Sequence, residues 1–312
     1  MEFKAGKNKI AVIGAGQMGY GIGLEFAIAG YDTWIYNRTV QASEQALQRS
    51  QQALHQFVAE KLLSAEEAKQ SLARLHPTND LVEATRNADY VAETIVESLP
   101  DKRELFAQLD RLCSPATILA SNTSTFTMSA IVAENLMSFP ERCCVAHYFQ
   151  PAHLIPLVEV VGGELTSKDT LDLCLSLLSS IGKKPELIPF EIPGHIGNRI
   201  QGAMGREIYR LIKLNQCTPE MIDSIIMNGF GRRMATTGWF IRNDLIGLDK
   251  TYDWSKASGR APADVIKNCV EQGELGMSTG KGVYTWPDFG EKLQSKQSRE
   301  LLRYLKLDKE ES

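Results

Sequence analysis

The sequence predicts an α/β domain built on a doubly wound sheet, followed by an all-α C-terminal domain. Up to residue 192, short apolar runs typical of buried parallel strands alternate with amphipathic helical segments. Strand patterns are nearly absent beyond this point. The length of 312 residues also suits two domains of about 150 residues each. We therefore predict a first domain over residues 1–192 and a second over residues 193–312.

The composition excludes several classes of partner. Hydrophobic residues make up 43% and charged residues 23% of the chain, which is near the globular average. The formal net charge is -4, so no overall basic field favours nucleic acid or an anionic membrane surface. No apolar run approaches the ~18 residues of a membrane span. We expect no nucleic acid and no membrane as partners.

The six cysteines are expected to be reduced thiols. None lies in a Cys-x-x-Cys pair, and all sit in or beside apolar segments. The polar residues 1–8 lack the apolar core that a signal peptide requires. Both observations predict a cytoplasmic protein. No group of residues in the sequence predicts a metal site.

The first predicted unit is a strand, a turn, a helix and a second strand, which together have the size of a βαβ crossover. Lys9–Ile13 and Asp32–Tyr36 are its strands, and Gly30 ends the apolar helix between them. The turn that opens this helix reads Gly14-Ala15-Gly16-Gln17-Met18-Gly19.

The glycines of this turn match a dinucleotide-binding fingerprint, which requires a preceding strand and a following helix. Gly14 makes the tight turn, Gly16 lets the backbone approach a pyrophosphate, and Gly19 lets the helix pack on the strand. Gln17 and Met18 belong to the helix N-terminus, whose free N–H groups and dipole face the phosphates. The turn predicts a Rossmann-type domain that binds NAD or NADP.

The end of the second strand bears on the choice of cofactor. Asn37 lies where an Asp or Glu usually holds the adenosine ribose, and Arg38 follows it. An Asp would repel a 2′-phosphate, whereas Asn would not, and Arg38 can bind that phosphate or stack on adenine. These residues favour NADP. Alternatively, Arg38 is a solvated surface charge and NAD is used.

Further elements follow in order. Residues 40–75 predict a helical hairpin with a break near Leu63-Ser64, because Ser64 and Glu67 have capping-box spacing. Thr218-Pro219-Glu220 is a helix start with its cap, N1 proline and early acid in place. Strands are predicted over residues 90–95, 117–120, 143–148, 157–161 and 187–190, and helices over residues 100–113, 168–181 and 196–214. The fold class is α/β: a Rossmann-type doubly wound sheet with a helical hairpin insertion, followed by an all-α C-terminal domain.

Four polar residues lie at or near the ends of predicted elements, or inside one. They are Ser124 after a strand, His147 at the end of a strand, Glu159 inside a strand and Asn198 at the start of a long helix. A glutamate among valines and a leucine is costly to bury without a partner, and a histidine would be such a partner. The carboxylate would fix the imidazole tautomer and favour its charged form.

These residue types suit the chemistry of a carbinol carbon. Hydride transfer from such a carbon requires a proton to leave its oxygen, and a His–Glu pair can accept that proton. Ser124 and Asn198 could hydrogen-bond the same oxygen. Taken singly, each residue also has a structural explanation, since Ser and Asn often cap helices and a histidine at a strand end is often structural.

Seven motifs occur in one order between Ile10 and Trp286. They are Gly14-x-Gly16-x-Met18-Gly19, Glu93-Thr94-Ile95-Val96-Glu97, Ala120-Ser121-Asn122-Thr123-Ser124, His147-Tyr148-Phe149-Gln150-Pro151, Leu157-Val158-Glu159-Val160, Gly194-His195-Ile196-Gly197-Asn198-Arg199 and Thr279-Gly280-Lys281-Gly282-Val283-Tyr284. With this series the chain resembles the L-3-hydroxyacyl-CoA dehydrogenase family, which includes the 3-hydroxybutyryl-CoA dehydrogenases of bacteria.

The resemblance implies reversible oxidation of a short-chain L-3-hydroxyacyl-CoA, such as 3-hydroxybutyryl-CoA, to the 3-ketoacyl-CoA with NAD or NADP. By resemblance, His147 is the catalytic acid/base and Glu159 is its partner. Ser124 and Asn198 are then the ligands of the substrate oxygen. These implied roles agree with those that the residue types suggest.

The resemblance also implies that Glu97 and Lys102 lie beside the cofactor, together with Ser124. It further implies a homodimer that is formed mainly by the helical C-terminal domain. Both are expectations from the family and not from the residue pattern.

Departures from the family pattern concern the substrate more than the reaction. In the helical hairpin, Ala53 and Glu60 stand at positions that bind the CoA adenosine and phosphate in some members, although Lys61 is adjacent. A free 3-hydroxy acid is therefore an alternative substrate, as in branches similar to L-gulonate and carnitine dehydrogenases. A catalytically silent nucleotide-binding or structural protein is a further alternative.

Overall fold

Among the residues that the structure describes, eight strands pair into one sheet. The computed structural model describes residues 3–133, 136–287 and 289–310. The strands are β1 Lys9–Ile13, β2 Asp32–Tyr36, β3 Leu75–Thr78, β4 Tyr90–Glu93, β5 Ile118–Ser121, β6 Cys143–Tyr148, β7 Leu157–Gly162 and β8 Lys184–Ile188. Their order is β3-β2-β1-β4-β5-β6-β7-β8. All neighbours are parallel except β6 and β7, which are antiparallel.

Helices cover both faces of the sheet, so the strands are buried on either side. The α-helices up to residue 213 are α1 Gln17–Ile28, α2 Val40–Ala59, α3 Ala65–Ala73, α4 Leu81–Thr85, α5 Leu99–Leu112, α6 Met128–Ile131, α7 Lys168–Ser180 and α8 Ile196–Lys213. In β1, Ile10 and Val12 belong to the core on one face, and Ala11 and Ile13 belong to the core on the other. All four side chains are fully buried.

A third core cluster holds the helical hairpin formed by α2 and α3. Leu24 of α1 packs there with Leu54 of α2 and Ala68 of α3. The predicted capping box opens α3, since the Ser64 hydroxyl accepts from the Glu67 amide and the Glu67 carboxylate accepts from the Ser64 amide. The predicted fold class, including the hairpin insertion, is confirmed.

The chain divides into two compact units, residues 1–203 and residues 204–312. The division falls inside α8, whereas we expected it near residue 192. The start of α8 groups with the first unit because contacts given below hold it there. The predicted domain boundary near residue 192 stays a prediction. The second unit contains the C-terminal part of α8 and the helices α9 Pro219–Asn228, α10 Phe230–Met234, α11 Trp239–Ile246, α12 Leu248–Ala257, α13 Asp264–Glu271 and α14 Phe289–Glu310.

The carboxylate of Asp244 organises part of the second unit. It is 1% exposed and accepts hydrogen bonds from the amides of Val283 and Tyr284 and from the indole of Trp286. A side chain on Gly276 or Gly282 would collide with Asp244, so both glycines allow this close packing. The glycine-containing run over residues 279–284 therefore has a structural explanation.

The two edge strands differ from the prediction. The predicted helical segment over residues 40–75 ends at Ala73, and Leu75–Thr78 forms the edge strand β3, for which no strand was predicted. Its Pro77 and polar neighbours give no apolar signal, and only pairing with β2 defines it. The last strand lies at Lys184–Ile188 and not at residues 187–190. Its start was missed because it lies at the other sheet edge, where three of its five residues are exposed and give no buried-strand pattern.

Among the described residues, no helix combines the length and the apolar character needed to span a membrane. The six cysteines are all free thiols, and four of them are buried.

Candidate active site

A cleft of about 460 Å³ lies at the carboxyl ends of β1, β2 and β4. Ligands of open α/β sheets bind at such strand ends, where the strand order reverses. The predicted cofactor residues Gly14, Gly16, Asn37 and Arg38 all line this cleft. Gln17 and Met18 lie in the first turn of α1, exposed and half-buried, and are not among its lining residues.

The three glycines of the turn have separate structural reasons. Gly14 has φ +114°, a conformation that other residues rarely adopt. A Cβ on Gly19 would lie 1.7 Å from the Gly14 carbonyl oxygen, so only glycine allows α1 to start there. A Cβ on Gly16 would meet no protein atom within 4 Å. The space above Gly16 therefore remains open, as the approach of a pyrophosphate requires.

The cleft also contains the two residues that the sequence predicts to lie beside the adenosine ribose, Asn37 and Arg38. The Asn37 side-chain oxygen accepts from the Arg38 amide at 2.7 Å, so the Asn37 amide group has its N–H donors left for a ligand. Asp101 and Glu104 of α5 also line the cleft. Among the described lining residues, Arg38 is the one cation.

The catalytic candidates meet where β6 and β7 run antiparallel. His147 and Glu159 are direct cross-strand partners in the register of the two strands. His147 Nδ1 lies 3.0 Å from Glu159 Oε2, and both side chains are 4% exposed. The carboxylate accepts the Nδ1 proton, which leaves Nε2 as the basic nitrogen of a neutral ring.

The same carboxylate also binds the start of α8. Glu159 Oε1 accepts from the amides of Ile196 at 3.0 Å and Gly197 at 2.9 Å. Burial alone would raise the pKa of Glu159, but the hydrogen bonds from His147 and Gly197 hold it below its ordinary value. Glu159 is therefore ionised at neutral pH and can compensate a positive charge on His147.

Ser124 and Asn198 join this pair. Ser124 Oγ lies 3.3 Å from His147 Nε2, and the Asn198 amide donates to the Ser124 carbonyl at 3.4 Å. The structure thus brings together all four residues that the sequence singled out. The contacts run from Ser124 to His147 and from His147 to Glu159. Asn198, near the start of α8, contacts the backbone of Ser124.

Glu97 and Lys102 lie next to the loop that carries Ser124. Glu97 accepts from the amides of Ser124 and Thr125 and from the Thr123 hydroxyl. Burial alone would raise its pKa, but the bond from Thr123 and the charge of Lys102 hold the pKa below its ordinary value. Neither residue is among those that line the cleft, and their contact with the cofactor stays a prediction.

Sequence reasoning missed Glu93. This carboxylate is fully buried and accepts from the Lys102 ammonium at 2.7 Å and from the Ser121 hydroxyl at 2.5 Å. The signal was present, because an acid in the buried strand Tyr90–Glu93 needs a partner as much as Glu159 does.

His195 was missed as well. It is 1% exposed, donates from Nε2 to the Thr123 carbonyl at 2.9 Å and packs on the His147 ring. Nothing in the residue pattern indicated this contact, since residues 147 and 195 are distant in the chain. Among the described residues, no group of histidines, cysteines and carboxylates is arranged to hold a metal ion.

The fold and the cleft together are those of a dinucleotide-binding dehydrogenase. The 3-hydroxyacyl-CoA dehydrogenase NAD binding domain matches residues 9–188, and the C-terminal domain of the same family matches residues 194–286. The chain therefore belongs to the 3-hydroxyacyl-CoA dehydrogenase family.

Individual relatives differ in substrate. The chain is 35% identical over 285 residues to a 3-hydroxyadipyl-CoA dehydrogenase of Escherichia coli, covering 89% of this chain but 58% of that protein. It is 33% identical to an L-carnitine dehydrogenase of Bacillus cereus, covering 89% of this chain and 88% of that protein. A solved 3-hydroxyacyl-CoA dehydrogenase from Archaeoglobus fulgidus has a TM-score of 0.76 at 26% identity and covers 96% of this chain and 99% of its own.

Alanine at Gly16 and at Gly19 should have opposite consequences. Gly19→Ala is expected to lower the free energy of unfolding by more than about 2 kcal/mol, because its Cβ collides with the Gly14 carbonyl. Gly16→Ala should keep wild-type stability to within about 1 kcal/mol, yet lose at least tenfold in dinucleotide affinity (about 1.4 kcal/mol). Urea unfolding and quenching of tryptophan fluorescence by the dinucleotide measure the two effects. Wild-type affinity in Gly16→Ala would contradict the assignment of the phosphate site.

Proposed function

We propose that this protein is an NAD(P)-dependent dehydrogenase that interconverts a short-chain L-3-hydroxyacyl-CoA, such as 3-hydroxybutyryl-CoA, and the 3-ketoacyl-CoA. The observation that carries the proposal is the continuous chain from Ser124 through His147 to Glu159. It belongs to the same domain as the glycine turn at the sheet's carboxyl edge. The names of the 3-hydroxyacyl-CoA relatives support the substrate class.

In the proposed oxidation, His147 Nε2 removes the hydroxyl proton of the substrate. The bound nicotinamide supplies the hydride acceptor. Glu159 keeps the Nδ1 proton in place and stabilises the imidazolium that forms, since its carboxylate stays ionised. In the reverse direction the protonated His147 donates to the developing alkoxide.

Ser124 and Asn198 have the proposed task of holding the substrate oxygen. Ser124 Oγ faces His147 Nε2, so an oxygen that replaces this contact would lie within reach of both groups. The Asn198 amide donates to the Ser124 carbonyl, which keeps it beside the residue proposed to bind the same oxygen. Preorganised donors of this kind stabilise charge that develops in the transition state.

We also propose that NADP is preferred over NAD. The support is Arg38 in the cleft and the amide donors of Asn37.

A homodimer is proposed because α8, α9 and α10 contain no buried residue while Ile200, Ile225 and Met227 are more than half exposed. Apolar surface of this extent usually marks an interface. The free thiols are in keeping with the expected cytoplasmic location.

A free 3-hydroxy acid is the second candidate substrate. Ala53 is 3% exposed in the hairpin core and is unable to touch a ligand, while Glu60 is exposed at the end of α2. The likeness to L-carnitine dehydrogenase supports this candidate. Catalysis with carnitine or gulonate and none with acetoacetyl-CoA would favour it. Dinucleotide binding without turnover of any hydroxy acid would favour a silent nucleotide-binding protein instead.

His147→Ala is expected to lower kcat for acetoacetyl-CoA reduction by about 10²–10⁴-fold, because the general acid is lost. Dinucleotide affinity should stay within twofold, a change of at most about 0.4 kcal/mol. Loss of nicotinamide absorbance measures the rate. His76→Ala is the control, since His76 is a partly exposed histidine of the edge strand β3. Full activity of His147→Ala would contradict the mechanism.

Asn37→Asp tests the proposed cofactor preference. The new carboxylate should repel a 2′-phosphate and accept the ribose hydroxyl, so the NADPH/NADH ratio of kcat/KM is expected to fall at least about tenfold. Arg38→Ala should weaken NADPH selectively. Parallel assays with both cofactors give the ratio. An unchanged ratio in both variants would mean that Arg38 is only a surface charge.

A further inference from the structure

His195 is buried between the loop that carries Ser124 and the catalytic imidazole. Its ring centroid lies 4.9 Å from that of His147, with 36° between the ring planes. Such a distance is typical of packed aromatic pairs. His195 is 1% exposed, so it is part of the wall behind His147 and not a surface residue.

The hydrogen bonds of His195 determine its protonation state. The Thr123 carbonyl can only accept, so Nε2 of His195 must carry a proton at their distance of 2.9 Å. Nδ1 is buried and has no hydrogen-bond partner among the described residues. A proton on Nδ1 would therefore be an unsatisfied buried donor, and the neutral ring is favoured.

The backbone holds this ring in place. His195 has φ +48°, and Gly194 before it has φ +79°, so two successive left-handed residues bring the chain sharply into α8. The next two amides, of Ile196 and Gly197, are bound by Glu159. His195 is thus fixed on one side by the carboxylate that orients His147 and on the other by the Ser124 loop.

We propose that His195 is a positioning residue for His147: its uncharged ring packs on the catalytic imidazole, and its Nε2–H anchors the His195 ring to the Ser124 loop through the Thr123 carbonyl. The inference rests on the proposed function, because it assigns a consequence for proton transfer by His147. A neutral neighbour also lets His147 become an imidazolium without repulsion.

Protonation of His195 should oppose the reduction of a ketone, which needs a protonated His147. The charged or titratable groups that face His195 are His147 on β6, Glu159 on β7 and Glu97 after β4. Burial lowers the pKa of His195 below its ordinary 6.5, and His147 lowers it further, while the hydrogen bond to the Thr123 carbonyl and the two glutamates act in the opposite sense. As the pH falls below 6.5, a positive charge on His195 would repel the protonated form of His147 that ketone reduction needs.

A pH profile of acetoacetyl-CoA reduction with two variants tests the proposal. Wild type should lose kcat as the pH falls below 6.5, because burial holds the pKa of His195 below that ordinary value. His195→Phe keeps a ring and His195→Gln keeps an N–H donor, and both should lack this acid loss. His195→Gln should also lose about 10–100-fold in kcat at neutral pH through misplacement of His147, with the dinucleotide KM changed less than twofold (at most about 0.4 kcal/mol).

His153→Phe is the matched control. His153 is also a buried histidine with an unpartnered Nδ1, and burial also lowers its pKa, but its ring contacts are with Tyr20 and Phe57. This variant should retain the acid loss of wild type. Retention of the acid loss in both His195 variants, or wild-type kcat in His195→Gln, would overturn the proposal.

A second readout does not depend on turnover. The chain has five histidines, so ¹⁵N-histidine spectra of the folded protein are simple enough to assign with the variants. The Nε2–H tautomer and a titration midpoint below 6.5 are expected for His195. An Nδ1–H tautomer, or a midpoint at or above 6.5, would overturn the proposal. If the spectra agree while no keto substrate reacts, the proposed function fails and the placement of His195 stands.

Discussion

The arrangement of the candidate active site depends on the carboxylate of Glu159. One buried group accepts the Nδ1 proton of His147 and the first two amides of α8. It therefore sets the tautomer of the catalytic ring and the origin of the helix that carries Asn198. Without those three donors a carboxylate in this strand would be severely destabilising, and with them its pKa stays low despite burial.

The antiparallel pairing of β6 and β7 produces the contact between Glu159 and His147. Because β6 and β7 are antiparallel, His147 and Glu159 are directly opposite each other in the ladder, with their side chains on the same face. The remaining parallel strands bring the glycine turn, the Glu97 segment and the Ser124 loop to one edge of the sheet. A second buried acid, Glu93, also has its carboxylate satisfied by several donors. It accepts hydrogen bonds from the Lys102 ammonium and the Ser121 hydroxyl, close to the Ser124 loop.

Much of this could be predicted from single residues in their local context. Apolar runs located β1, β4 and β6, and the costly Glu159 indicated its own partner. The edge strands β3 and β8 could not be placed, because their residues are polar and only pairing defines them. His195 was beyond prediction for a different reason: its role arises from a contact between residues 48 positions apart (195 − 147), which no local pattern encodes.

The central role of Glu159 is tested by kcat for ketone reduction in Glu159→Gln, with Glu191→Gln as the control. Glu191 also accepts a backbone amide, that of Ser129, but no hydrogen bond joins it to a histidine among the described residues. A glutamine at 159 can satisfy the α8 amides while its own N–H faces His147 Nδ1 and imposes the wrong tautomer. We expect a folded protein with normal dinucleotide affinity and a kcat lowered by about 10²–10⁴-fold. A kcat within about twofold of wild type would contradict this role of Glu159.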